Sequence, residues 1–207
     1  MNKASNIDHI VFDIGNVLID WDPERLFQRL IPKVEDRSFF LNNVCNQDWN
    51  IEQDRGRSWE EAEEVAIEAF PEWESMIRAY RKHWIETIPG PVPGGFELRN
   101  ELASQGYHLT ALSNFSTSTF AEISQVYPEL LDFEGLTISA HIGLIKPDPA
   151  IYHHHEKTFA LEPKRTVFID DSVANVEAAR HCGWQAILFC NAEQTKADLR
   201  QLLNHSL

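Results

Sequence analysis

The chain begins its patterned region with an unbroken apolar run, Ile10-Val11-Phe12, that stops at Asp13. With no polar residue at alternate positions, such a run predicts a strand buried on both faces. Two later stretches repeat the pattern. Residues 109–112, within a strand expected over 108–112, end at Ser113-Asn114, and residues 166–169 end at Asp170-Asp171. Shorter strands are expected at 136–139 and 185–189. Between them the period becomes helical: 96–105 stopped by Gly106, 116–126, 148–159 behind Pro147, and 173–181 closed by Gly183. Repeated strand–helix alternation predicts an α/β fold, with a parallel sheet, right-handed crossovers and helices on both faces.

The stretch between the first two strands reads differently. Asp22-Pro23-Glu24 has the form of a helix opening, with Asp as cap, Pro in the first turn and an acid near the positive end of the dipole. Leu26, Phe27, Leu30 and Ile31 supply its apolar face, and Pro32 ends it. From about residue 34 to residue 88 nothing resembles a strand. Ser58-Trp59-Glu60-Glu61 has the form of a capping box, followed by Ala62, Val65, Ala66 and Ala69 at helical spacing. Trp73, Met76, Ile77, Tyr80 and Trp84 continue that period. The whole is an all-helical insertion of roughly 65 residues. Residues 89–95, rich in Pro and Gly, read as a hinge or linker.

Composition narrows the setting. At 207 residues and 43% hydrophobic content there is material for one core and a small accessory lobe. A net charge of −14 argues against nucleic acid and anionic membranes as partners. It does not exclude a phosphate ester if a divalent cation shares the pocket. Cys45, Cys182 and Cys190 are too few and too scattered for a disulfide framework or a zinc site, and are expected to be small buried or half-buried residues. His153, His154 and His155 are neighbours within a helix and point different ways, so no metal site is expected there. No apolar run has signal-peptide or transmembrane length, and a cytoplasmic location is expected.

Three buried strands that each deliver a polar side chain at one edge of the sheet are hard to explain by packing, since ligands of open α/β sheets bind at that edge. Asp13 alone could be a turn acid. Gly15 beside it lets the backbone approach a ligand, and a carboxylate so placed can act as a nucleophile. Asp170 and Asp171 would repel each other unless they shared a cation, and oxygen-only ligation suits Mg²⁺. Asp171 or Ser172 could equally cap the helix that follows. Ser113-Asn114 precede a helix N-terminus, a natural phosphate site, or form an ordinary capping turn. Lys146, between apolar residues and Pro147, could neutralise phosphate and nucleophile, where an ordinary lysine would lie at the surface.

Taken together, F-D-I-G-N-V, L-S-N, K-P-D-P and I-D-D-S-x-x-N-x-x-A-A resemble the motifs of the haloacid dehalogenase superfamily of aspartyl-nucleophile hydrolases. The resemblance runs from Ile7 to about Phe189. It implies a Rossmann-like core (residues 1–21 and 89–207) and a small helical cap (22–88). It also implies Asp13 as nucleophile, Ser113 binding the phosphoryl group with Asn114 framing the loop, and Lys146 steadying both. Mg²⁺ would be held by Asp13, the Gly15 main-chain carbonyl and the Asp170-Asp171 pair, with the direct ligand of that pair left open. One position departs from the family's phosphatases, which carry a second Asp as general acid and base where this chain has Gly15. Asp20, Asp22 or a cap residue would have to replace it.

The expected function is a Mg²⁺-dependent phosphatase of a small phosphorylated metabolite, a sugar phosphate, working through phospho-Asp13. Trp21, Asp48, Trp49, Asn50, Arg55 and Trp84 are candidates for the substrate-facing lining of the cap. Two alternatives stand beside this. A 2-haloacid dehalogenase would use Asp13 on carbon without metal, which the missing acid suits and the Asp170-Asp171 pair opposes. A phosphometabolite-binding relative without turnover would also account for Gly15. The oligomeric state is not legible.

Overall fold

The computed structural model describes residues 7–203; residues 1–6 and 204–207 of the expected core lie outside it. Its sheet contains β1 (His9–Phe12), β2 (His108–Ser113), β3 (Gly135–Ile138), β4 (Thr166–Asp170) and β5 (Gln185–Leu188). All neighbours are parallel, in the order β3-β2-β1-β4-β5. Between β1 and β2 the chain forms α1 (Pro23–Leu30), α2 (Val34–Phe39), α3 (Gln47–Asp54), α4 (Trp59–Ala69) and α5 (Glu74–Lys82). A π turn occupies Phe40–Val44. Then follow α6 (Gly95–Ser104), α7 (Thr117–Val126), α8 (Ser139–Ile142), α9 (Pro149–Phe159), α10 (Val173–His181) and α11 (Ala192–Leu203).

The central strand explains the layering. Ile10, Val11 and Phe12 are completely buried, as a strand covered on both faces requires. Alternation sends Ile10 and Phe12 into one apolar cluster and Val11 into another. Leu98 and Leu102 of α6 and Leu199 and Leu203 of α11 pack on the first face. Ile151 and Tyr152 of α9 and Val176 and Ala179 of α10 pack on the second. The first cluster continues without a break into Phe27, Phe40, Ile77, Tyr80 and Trp84 of the helical segment. That segment is therefore fused to the sheet's own core. Trp59 Nε1 donates to Ser116 Oγ (3.1 Å) and Arg81 pairs with Glu122 of α7 (2.8 Å) across the same boundary.

Several local expectations are corrected. Ser58 caps α4 by accepting from the Glu61 N–H (3.1 Å), as its motif suggests. Asp22 stands at the N-cap of α1 without a side-chain hydrogen bond to it; Pro23 in the first turn leaves one donor fewer to satisfy. The strand expected through Ser139 ends at Ile138, because Ser139 begins α8. Cys190 is exposed, in the turn beyond β5, whereas Cys45 and Cys182 are buried and half-buried. The Pro/Gly segment is tied down rather than a free hinge: Val92 N–H bonds Leu18 O and Asp20 N–H bonds Gly90 O, both at 2.9 Å. Gly95 lies so close to Val17 that a Cβ would meet its carbonyl oxygen at 2.5 Å.

Of the three adjacent histidines only His155 is buried. Its Nδ1 bonds Thr137 Oγ1 (2.8 Å) and its Nε2 bonds Thr110 Oγ1 (2.9 Å), which also meets His9 Nε2 (2.9 Å). Burial pushes His155 from 6.5 down to about 3, and His9 down to about 4. Both rings are thus neutral in the folded protein where the unfolded chain would protonate. Stability from them is complete above pH 6.5 and is lost as pH falls toward the folded values. Lowering pH from 7 to 5 should cost about 2 kcal/mol through His155 alone, seen as a difference of roughly 1 M between the urea-midpoint shifts of wild type and His155→Gln over that range. Equal pH shifts of the midpoint in wild type and in His155→Gln would contradict the assignment.

Candidate active site

Asp13 follows β1 directly, and its N–H still bonds Ile169 O of β4 (2.9 Å), so strand pairing sets its backbone. Its Oδ1 accepts from the Ile14 N–H (2.6 Å) and from Ser113 Oγ at the end of β2 (2.7 Å). The chain then turns tightly, with Leu18 and Ile19 N–H groups converging on Ile14 O (2.9 and 3.0 Å). Asn16 takes the left-handed conformation in this turn (φ 55°), which asparagine tolerates better than most residues. Its amide donates to Asp171 Oδ2 (3.1 Å) and its carbonyl accepts from the Trp21 N–H (3.0 Å), joining the first loop to the end of β4.

Lys146 is the fixed point of the site. It is buried to 1% exposure, with its ammonium 2.8 Å from Asp13 Oδ2 and 2.7 Å from Asp170 Oδ2. Asn114 brackets its backbone, donating to Lys146 O (3.0 Å) and accepting from the Lys146 N–H (2.8 Å). Burial by itself lowers the ammonium, but the two carboxylates together outweigh it and hold its pKa above the ordinary lysine value. Burial pushes the Asp13 carboxyl up to about 7, against the pull of Lys146, with Asp170 adding to the rise.

Asp170 and Asp171, adjacent in sequence, have different surroundings. Asp170 is fully buried and takes Lys146 on Oδ2, the Ser172 N–H on Oδ1 (2.8 Å), and Asn175 Nδ2 on both oxygens (3.0 and 3.1 Å). These bonds use most of a carboxylate's accepting capacity. Asp171 lies on the cavity wall and takes the Asn16 amide. Ser172, at the N-cap of α10, makes no side-chain cap bond. Asp13, Asp170 and Asp171 nonetheless offer oxygens within 4.8 Å of one another. Three carboxylates face one ammonium, an all-oxygen set with surplus negative charge that could hold a hard divalent cation.

These groups open on a cavity of about 350 Å³ beyond the C-terminal ends of the strands. Asp13, Gly15, Ser113, Asn114, Lys146 and Asp171 form its floor, and Trp21, Asn50 and Trp84 line it as expected. The other lining candidates do not reach it. Trp49 turns into the helical layer, donating to Ala62 O (3.0 Å) and packing on Trp59 and Tyr80, while Asp48 and Arg55 are exposed. Among the described residues the wall includes neither Asp20 nor Asp22. It does include Gln47, Ile51, Asp54 and Trp59. The spacing 47, 50, 51, 54 is one face of α3, a signal present in the sequence.

A parallel α/β sheet with a buried aspartate–lysine centre at its switch point has that centre where folds of this class bind ligands. Residues 7–183 match the haloacid dehalogenase-like hydrolase family, and the chain belongs to that family. It is 26% identical over 202 residues to a sesquiterpene phosphatase of Aspergillus oryzae, covering 93% of this chain and 95% of that protein. It is 23% identical over 213 residues to a D-ribitol-5-phosphate phosphatase of Bacteroides thetaiotaomicron, covering 96% and 99%. A magnesium complex of a haloacid dehalogenase-family enzyme from the same bacterium superposes with a TM-score of 0.74 at 22% identity, covering 94% of this chain and 99% of that one. An L-2-haloacid dehalogenase of Xanthobacter autotrophicus gives 0.64 at 18% identity, covering 96% and 83%. These likenesses establish the fold. Among the described residues no helix is long and apolar enough to cross a membrane.

Removing the ammonium would leave two carboxylates facing each other in a dry interior. Lys146→Met should destabilise the protein by about 3–5 kcal/mol, a fall in Tm of roughly 10 °C measured by thermal unfolding. An unchanged Tm would mean that the pair is not held together by Lys146.

Proposed function

We propose that this chain is a Mg²⁺-dependent phosphatase of a small phosphorylated metabolite, with Asp13 as nucleophile and the helical segment 22–88 as a cap over the substrate. One observation carries the reading. A buried carboxylate, oriented by Ser113 and Lys146, faces a cavity whose other oxygen donors carry surplus negative charge. An anionic substrate needs a cation there, and the donors suit magnesium. Asp13, the Gly15 carbonyl and Asp171 would hold it, with Asp170 engaged by Lys146, Ser172 and Asn175. Bound there, the cation supplies positive charge to the phosphoryl oxygens. The relatives named for phosphatase activity support the same class.

In this reading Asp13 attacks phosphorus in line and the ester oxygen leaves, giving phospho-Asp13, which water then hydrolyses. Lys146 keeps the attacking carboxylate aimed and offsets charge accumulating on the phosphoryl group. Ser113 and Asn114 frame the phosphate loop ahead of α7. The walls carry both aromatic faces (Trp21, Trp59, Trp84) and amides (Asn16, Gln47, Asn50), a mixture suited to a sugar phosphate whose C–H faces stack while its hydroxyls hydrogen-bond.

Phosphate release from an aryl phosphate and a sugar-phosphate panel should require Mg²⁺, stop with chelator, and fall more than about a thousandfold in Asp13→Asn. Asp171→Asn should raise the half-saturating Mg²⁺ concentration by at least about 10–100-fold. Halide release from 2-chloropropionate in the presence of chelator would instead establish the dehalogenase alternative. Tight binding of phosphate esters without turnover would establish a sensor.

A further inference from the structure

The phosphatase reading leaves one step without a residue. An alkyl ester oxygen leaving phosphorus needs a proton, and the water that later attacks phospho-Asp13 must lose one. Gly15 can do neither. We propose that Asp54, at the C-terminal end of α3, is the proton donor and acceptor of this reaction, delivered to the cavity by the helical segment instead of by the loop after β1. The role presupposes the phosphatase reading above.

Position supports it first. Asp54 lines the same cavity as Asp13, Gly15 and Lys146, on the face of α3 that also presents Gln47, Asn50 and Ile51. The main-chain carbonyl of Asp54 accepts from Ser139 Oγ (2.6 Å), and that same hydroxyl oxygen accepts from the Phe115 N–H (2.9 Å). The Asp54 carboxylate in turn accepts from Asn50 Nδ2 (3.4 Å) and lies beside the Ser116 backbone, whose N–H favours its charged form. The residue is thus fastened through Ser139 to the segment that follows Ser113 and Asn114. Such anchoring fixes the place at which Asp54 meets the cavity.

Stability does not account for an acid here. A carboxylate at a helix C-terminus opposes the dipole, and burial without a dedicated cation is unfavourable. The charged groups that face it are Asp13 and Lys146, and Lys146 is committed to Asp13 and Asp170. Burial, with Asp13 adding to the rise against Ser116 and Lys146, lifts the carboxyl from 3.8 to about 7. Both protonation states are therefore populated near neutral pH, the condition for an acid that must later act as a base. In the first half-reaction Asp13 forms a bond to phosphorus, the P–O ester bond breaks, and the leaving oxygen takes the Asp54 proton. In the second, water bonds to phosphorus and gives its proton to Asp54, and the bond to Asp13 breaks with its electron pair returning to the carboxylate.

The test compares wild type, Asp54→Asn, Gly15→Asp and the double variant on an alkyl phosphate and on p-nitrophenyl phosphate, with Mg²⁺. A Cβ at Gly15 would meet nothing within 4 Å, so the alternative acid has room. Asp54→Asn should keep or raise Tm. It should lose about 10²–10⁴-fold in steady-state turnover, yet still release one nitrophenolate per enzyme in a burst, because that leaving group needs no proton. Gly15→Asp added to Asp54→Asn should restore at least tenfold of the alkyl phosphatase rate. Wild-type rates in Asp54→Asn would overturn the assignment while leaving the phosphatase reading intact. So would a loss on both esters with no burst and no rescue. A wild type that releases phosphate from neither ester would overturn both.

Discussion

Two carboxylates from neighbouring strands occupy the interior of this protein within reach of one ammonium, and the arrangement of the site follows from that contact. Asp13 and Asp170 stand at the ends of adjacent strands and are directed at the same volume, where two buried carboxylates need a compensating charge. Lys146 enters from the K-P-D-P segment, clamped at its backbone by Asn114. Once the ammonium takes one oxygen of each acid, the remaining groups have little choice. Ser113 and the Ile14 N–H complete Asp13, and Ser172 and Asn175 complete Asp170. Asp171 is left facing the cavity. Adjacent acids in one motif acquire separate tasks because only one of them meets the lysine.

The strands were readable because burial on both faces leaves a run of apolar residues with no other explanation. Their ends were less so. β2 and β4 extend one residue further, into Ser113 and Asp170, since polar side chains at the end of a strand do not break the ladder. The short α8 is four residues closed by a left-handed glycine, too brief for a helical period to show. The buried face of α11 is narrow, with Thr195, Leu199 and Leu203 at spacing of four, and shows little apolar period in the letters.

The floor of the site is legible for a related reason: Asp13, Gly15, Ser113, Asn114, Lys146 and Asp171 each stand at a strand end or in a compact motif. The walls are not. Asp54 and Trp59 reach the wall through the face their helices turn toward a cavity formed by distant segments, while residue type alone points to Asp48, Trp49 and Arg55. Asn16 stands within the F-D-I-G-N-V motif, but its link to Asp171 depends on a left-handed turn that the letters do not display.

The place of β1 in the sheet has a consequence for how the molecule comes into being. The strand preceding Asp13 pairs His9 with His108 on one side and with Thr166 on the other. It has no local hairpin to join, and the earliest patterned segment must wait for most of the chain before its slot exists. Such distant pairings make a slow folding topology, in which a sticky apolar segment stays uncovered during synthesis. The chemistry is therefore assembled late: no fragment lacking β4 contains a seated β1, and the centre arises only with the finished sheet.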